Sequence, residues 1–148
     1  MSVKDIDLGW GKIVDEMNSI GKKAVKVGLQ SGDTEKDGTS LAYIGSLHEY
    51  GSDGGKIPQR SFMRTAIDDN DRKIKSLSDD LGGKIIDGSI SVNQALDTVG
   101  IAVTGMIQKQ IVDGDFQSLK DSTVKAKGSD KPLIDTGRMR QSIRHVLE

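Results

Sequence analysis

Chemistry in this chain is first suggested by His48 and Glu49, adjacent in the run Leu-Ala-Tyr-Ile-Gly-Ser-Leu-His-Glu-Tyr-Gly from Leu41 to Gly51. A helical His-Glu-x-x-His sequence would put two zinc-binding imidazoles on one face with a carboxylate beside them. Here Tyr50, Gly51 and Ser52 follow instead, so the second histidine is missing and a glycine stands where the helix would have to continue. His145 is the only other histidine and lies near the far end of the chain. The pair therefore reads as a structural corner, with no metal expected. The other acids point the same way. Asp68, Asp69 and Asp71 cluster opposite an apolar stripe, where carboxylates are solvated and their pKa values do not split into an acid and a base. Asp135 and Thr136 precede a short helix and read as its cap. No serine occupies a nucleophile elbow, and Gly54-Gly55-Lys56 lacks both the length and the following Ser or Thr of a phosphate loop. No enzyme activity and no cofactor are expected.

Composition narrows the classes further. The chain has 148 residues, 34% apolar and 29% charged, with eighteen glycines and only five residues among Phe, Trp and Tyr. That length suits one domain spanning 1–148 with a real but thin core. A formal net charge of −1 offers no global attraction for nucleic acid or an anionic membrane. Arg60 and Arg64 stand one helical turn apart, and Lys120, Lys125, Lys127, Lys131, Arg138, Arg140 and Arg144 make the last third basic. Without interleaved aromatics to stack bases, this supports at most non-specific contact with a passing duplex. The absence of cysteine excludes disulfides and thiolate chemistry and fits a reducing compartment. The first residues, Met-Ser-Val-Lys-Asp, lack a signal-peptide core, and no run reaches membrane-spanning length. An internal, membrane-free location is the expectation.

The elements that must position these residues follow from periodicity. Ile6, Trp10, Ile13, Val14, Met17 and Ile20 recur at helical steps and give an amphipathic helix over 4–20, stopped at Gly21, with Trp10 expected in the core. Residues 22–30 change to a two-residue period, with Lys23, Val25, Val27 and Leu29 on one side, as in a half-buried strand. The polar segment 31–40 reads as a flexible loop. Thr39 or Ser40 can cap a short helix that ends at Gly51, and 51–57 forms a second flexible loop. Phe62, Ala66, Asn70, Ile74, Leu77, Leu81 and Ile85 then mark one long helix over about 61–87, with a bend or break expected at Gly82-Gly83. A turn at Asp87-Gly88 leads to Ser91, cap of a second long helix to about residue 113. Ser118 with Asp121 resembles a capping box for a short helix that Gly128 stops. Pro132-Leu133-Ile134 reads as extended, and 142–147 as a strand that pairs with the first. The expected fold class is α+β: a small antiparallel sheet packed on two long amphipathic helices, plus an N-terminal helix.

Two segments, taken together, carry a resemblance. Ala42-x5-His48-Glu49-Tyr50-Gly51, a glycine-rich gap, and Ile57-Pro58-x-Arg60-x-Phe62-Met63-Arg64 resemble a hallmark of tailed-bacteriophage neck proteins, a His-Glu-aromatic-Gly element followed by Ile-Pro-x-Arg-Pro-Phe-Leu/Met. Pro132-Leu133-Ile134-Asp135-Thr136-Gly137-Arg138-Met139-x-x-Ser142-Ile143 is similar to their C-terminal Leu-Ile-Asp-Thr-Gly-x-Leu-x-x-Ser-Ile signature. Order and spacing agree over roughly residues 22–147. Ser61 departs from the pattern, standing where the family favours a second proline.

The resemblance implies a non-catalytic tail-completion or head–tail joining protein. Its partners would be copies of itself in a ring, commonly hexameric, with a tail-tube or tail-terminator protein on one side and head connector proteins on the other. DNA would pass through the lumen, and the protein would move from the host cytoplasm during assembly to the virion neck. On this reading His48, Glu49, Tyr50, Ile57, Pro58, Arg60, Phe62, Arg64, Asp135, Thr136 and Arg138 are interface candidates. The loops 31–40 and 51–57 would act as inter-subunit arms, and Arg60 and Arg64 would meet a neighbour's acidic surface such as Asp68–Asp71. A small regulatory or adaptor domain is the alternative that needs no ring.

Overall fold

The computed structural model describes residues 8–128, 130–133 and 137–148. Its frame is a helical hairpin of α3 (Phe62–Ile86) and α4 (Val92–Asp113), preceded by α1 (Trp10–Ser19), β1 (Val25–Leu29) and α2 (Leu41–Tyr50). After the hairpin come α5 (Asp121–Lys127), α6 (Arg138–Gln141) and β2 (Ile143–Leu147). The two strands pair antiparallel, Val25 opposite Leu147 and Leu29 opposite Ile143, and the sheet lies along α4. The α+β architecture expected from periodicity is the one the chain adopts.

Each long helix buries the stripe its sequence spaces at helical intervals. Phe62, Ala66, Leu81 and Ile85 of α3 are buried, as are Val92, Ala95, Val103, Ile107 and Ile111 of α4. The core divides in two. The larger part joins Phe62, Ala66, Val103, Ile107 and Ile111 to Leu41, Leu133, Met139 and Ile143 at the sheet end of the hairpin. The smaller part holds Leu81, Ile85, Val92 and Ala95 at the turn end. Two glycines let the layers approach closely. A β-carbon on Gly100 would come within 2.9 Å of three atoms of His145, so its absence lets β2 settle on α4. One on Gly45 would lie 2.2 Å from Leu29 Cδ1, so the Leu29 side chain takes its present place against α2 because Gly45 is bare.

Several sequence expectations change. The helix at the start runs from Trp10, and residues 1–7, including Ile6, lie outside the described residues. Trp10 is not core but 71% exposed. A single stripe through 10, 13, 14, 17 and 20 is wider than one contact can cover, and the hairpin takes only part of it. α3 passes through Gly82-Gly83 as one helix, because its hydrogen bonds need no side chain there. Ser118 does not cap α5; the helix begins after Lys120 without a side-chain cap. Leu133 is not extended. It sits in a turn at φ 61, an unfavourable backbone for a branched residue, and its side chain is buried in the larger core. Ile134 lies outside the described residues.

The segment 31–40 folds back on itself, with Thr34 bridged to Ser40 and Glu35 N–H donating to the Thr39 carbonyl at 2.8 Å. The Asp37 carboxylate accepts from Thr39 N–H, and these hydrogen bonds hold its pKa below the usual aspartate value. Ser40 then caps α2, its hydroxyl accepting from Tyr43 N–H.

A candidate assembly site around the Glu49 cap

The His-Glu-Tyr-Gly corner sits at the C-terminal end of α2, and the Ile57–Arg64 segment leads into α3. A helix start exposes backbone N–H groups that no earlier turn can satisfy. Ser61 occupies the cap position of α3 but gives no side-chain hydrogen bond to it. Glu49 supplies that bond from another helix. Its Oε2 accepts from Met63 N–H at 2.9 Å and its Oε1 from Arg64 N–H at 3.0 Å. Glu49 is only 3% exposed, and its negative charge faces the positive end of the helix dipole.

The backbone closes the same junction. Arg60 N–H donates to the His48 carbonyl at 2.7 Å. The Ser61 hydroxyl and the Gln59 amide both donate to the Glu49 carbonyl, and Gln59 also donates to Ser61 Oγ. Ser61 thus works as a hydrogen-bonding link. Gly51 turns the chain at φ 79, and Ile57 and Ser52 exchange hydrogen bonds across the intervening loop. A side chain at Gly51 would meet the Ile57 carbonyl and Gln59 N–H at 3.3 Å as well as the strained φ.

Arg60 departs furthest from its expected role. It is 5% exposed, and its Nε and Nη2 both donate to the Gln117 carbonyl at 3.1 Å. Burial lowers its pKa from the usual arginine value. It ties the start of α3 to the segment after α4 and so is spent within its own subunit. Phe62, fully buried, anchors the same corner. What faces outward is Tyr50, 68% exposed, with the Arg64 guanidinium 5.7 Å from its ring centroid, within cation–π range. The expected acceptor cluster on α3 is exposed, with Asp71 held by Lys75 one turn on at 2.8 Å.

His48 turns away from Glu49. With Ile57, Pro58, Lys56 and Lys120 it lines a cavity of about 230 Å³, and it also borders a larger one of about 460 Å³ beside Glu35, Lys36 and Met139. Glu49 lies on the opposite side, against a groove between β1 and α3. The two adjacent residues therefore share no site. Arg138 opens α6 after Gly137, while Asp135 and Thr136 lie outside the described residues. Among the described residues no three His, Asp or Glu side chains gather as a metal set. No helix among them is long and apolar enough to cross a membrane.

The C-terminal segment reaches the same end of the hairpin. Leu133, Met139 and Ile143 are buried in one cluster with Phe62 and Leu41. Residues that sequence reasoning passed over belong here too: Gln117 gives Arg60 its acceptor, and Asp97 meets His145 Nε2 at 2.8 Å beside Gly100. Neither has a sequence signal, because a backbone carbonyl can come from any residue and the Asp97–His145 contact exists only once β2 docks. Comparison with family models, with curated proteins and with solved structures finds no match in any of the three.

Proposed function

We propose that this chain is a structural subunit of a tailed-phage neck, completing the tail or joining it to the head as one member of a ring around the DNA path. The observation that carries the reading is that the segments of the resemblance, separated by some seventy residues, build one junction. Glu49, Arg60 and Phe62 knit the corner to the long helix, and Leu133, Met139 and Ile143 pack on it. A junction made of caps and packing, with Glu49 occupied by backbone amides, suits a rigid assembly block better than a reacting centre. Tyr50 and Arg64 are the parts of it left facing outward.

Removing the gene from a phage or inducible prophage that carries it tests the role. Separate full heads and finished tails in electron micrographs are the expected outcome, and joined infectious particles would overturn it. Arg64→Glu is the sharper variant, since Arg64 is exposed whereas reversing buried Arg60 would unfold the corner. It should leave the circular dichroism spectrum and melting temperature unchanged and reduce joining.

A further inference from the structure

Arg60 carries more charge than its one partner answers. The Gln117 carbonyl takes the Nε–H and one N–H of Nη2. A guanidinium has five N–H donors and a full positive charge, so three donors and the whole charge are left over. A neutral carbonyl meets that charge with a dipole only. Among the described residues no carboxylate pairs with the group, although Arg60 is buried, and burial is the one influence on its pKa. A buried charge is costly unless an opposite charge meets it.

The unmet charge stands on the wall of the cavity of about 230 Å³. Lys56, from the Gly54-Gly55-Lys56 run whose spacing is not that of a phosphate loop, lines the same cavity, as do Lys120, just before α5, and His48. Ser118 and Thr123 add hydroxyl donors. Among the described residues lining it, the charged side chains are all cations. Acids do occur near by, but Glu35 and Asp37 line the larger neighbouring cavity, which shares His48 and Thr123 with this one. Asp37 already accepts from Thr39 N–H.

We infer that this cavity binds a compact phosphate-type dianion, inorganic phosphate or a small phosphate monoester, between Arg60, Lys56 and Lys120. Charge and size make the choice. Three cations with no acid among them match a group carrying about −1.5 to −2 charge and strong acceptor oxygens better than the single charge of a carboxylate. The volume lies below the roughly 300 Å³ at which pockets for drug-sized ligands begin, which suits a phosphate group better than a whole nucleotide. The anion would join two segments, since Lys56 comes from the loop between α2 and α3 and Lys120 from the stretch between α4 and α5. Arg60 already ties those segments with its bond to Gln117, and the anion closes the joint with charge. The site is independent of the neck reading.

Calorimetric titration of inorganic phosphate into the full-length protein, with chloride holding ionic strength constant, should give one site with a Kd below about 1 mM. Acetate should bind at least roughly tenfold more weakly. Glycerol phosphate binding more tightly than phosphate would assign a monoester, and weaker binding the free anion. The Arg60 Nε–H resonance should shift on phosphate addition, and exchange at the Ile57 and Thr123 amides should slow together. Lys56 and Lys120 are exposed, so their variants keep the fold and leave buried Arg60 untouched. Lys56→Ala should weaken binding by roughly fivefold, and Lys120→Glu should abolish it. No binding at about 10 mM phosphate, or an affinity unchanged in Lys120→Glu, would overturn the site. Acetate binding as tightly as phosphate would overturn it too. So would a short DNA duplex that binds where phosphate does not, which would make the basic wall a duplex contact.

Discussion

The two ends of the α3–α4 hairpin solve one problem in different depths. Both long helices begin with unsatisfied amides, and at both starts a glutamate from a distant helix supplies the acceptor. At the sheet end Glu49 is sealed from water and takes two amides of α3. At the turn end Glu16 is only partly buried and adds one bond, to Val92 N–H, where Ser91 and Gln94 already form a capping box. The core follows the same gradient: among the described residues, nine buried side chains at the sheet end against four at the turn end. The lesson is that the motif-bearing end is the more deeply buried one, and the turn end is held by a thin clasp from α1.

The largest way to break the comparison is to empty the cores. Phe62→Ala should cost about 4 kcal/mol, because a fully buried ring leaves a cavity that the surrounding helices and sheet cannot collapse. Leu81→Ala should cost about 2 kcal/mol, since its smaller cluster lies next to solvent and can relax. Urea midpoints with unchanged m-values measure both. Equal losses would mean that the two ends are one cooperative core.

The glutamates give the next largest contrast. Glu49→Ala strands two part-buried amides at the start of α3 and should cost about 2 kcal/mol. Glu49→Gln, which keeps the shape but turns a donor toward an amide, should lose about 2 kcal/mol. Glu16→Ala should lose only about 1 kcal/mol, as the Ser91–Gln94 box remains. Hydrogen exchange separates local from global effects. Glu16→Ala should speed exchange at the start of α4 and leave Ile107 protected, whereas Glu49→Ala should raise exchange through both helices. Protection lost evenly in both variants would erase the distinction between clasp and anchor.

This contrast also shows where sequence reading reaches. The long helices, the caps of α2 at Ser40 and of α4 at Ser91, and the pairing of β1 with β2 follow from periodicity and short-range capping chemistry, which neighbours along the chain determine. The role of Glu49 does not, because its acceptors' partners lie fourteen and fifteen residues away and a His-Glu pair suggests chemistry first. Arg60 looked like a docking charge and is instead bound to a backbone carbonyl fifty-seven residues on. Trp10 looked like core because amphipathic spacing counts apolar residues without saying how wide a face the fold can cover. Periodicity assigns faces; only packing decides which of them find a partner within the chain.

The smallest expected effect lies in the turn itself. Asp87 accepts from the hydroxyl and the backbone N–H of Ser89, and those hydrogen bonds hold its pKa below the usual aspartate value, with a smaller contribution from Lys84. A carboxylate with a lowered folded-state pKa adds stability above its unfolded-state pKa and loses it as pH falls through the folded value. The turn should therefore loosen as pH drops below about 4. Asp87→Asn keeps an oxygen acceptor but cannot titrate, so exchange at Ser89 and Ile90 should become insensitive to pH in that range after correction for intrinsic rates. If the variant keeps the wild-type pH dependence, the Asp87–Ser89 hydrogen bonds are not what acid breaks in this turn.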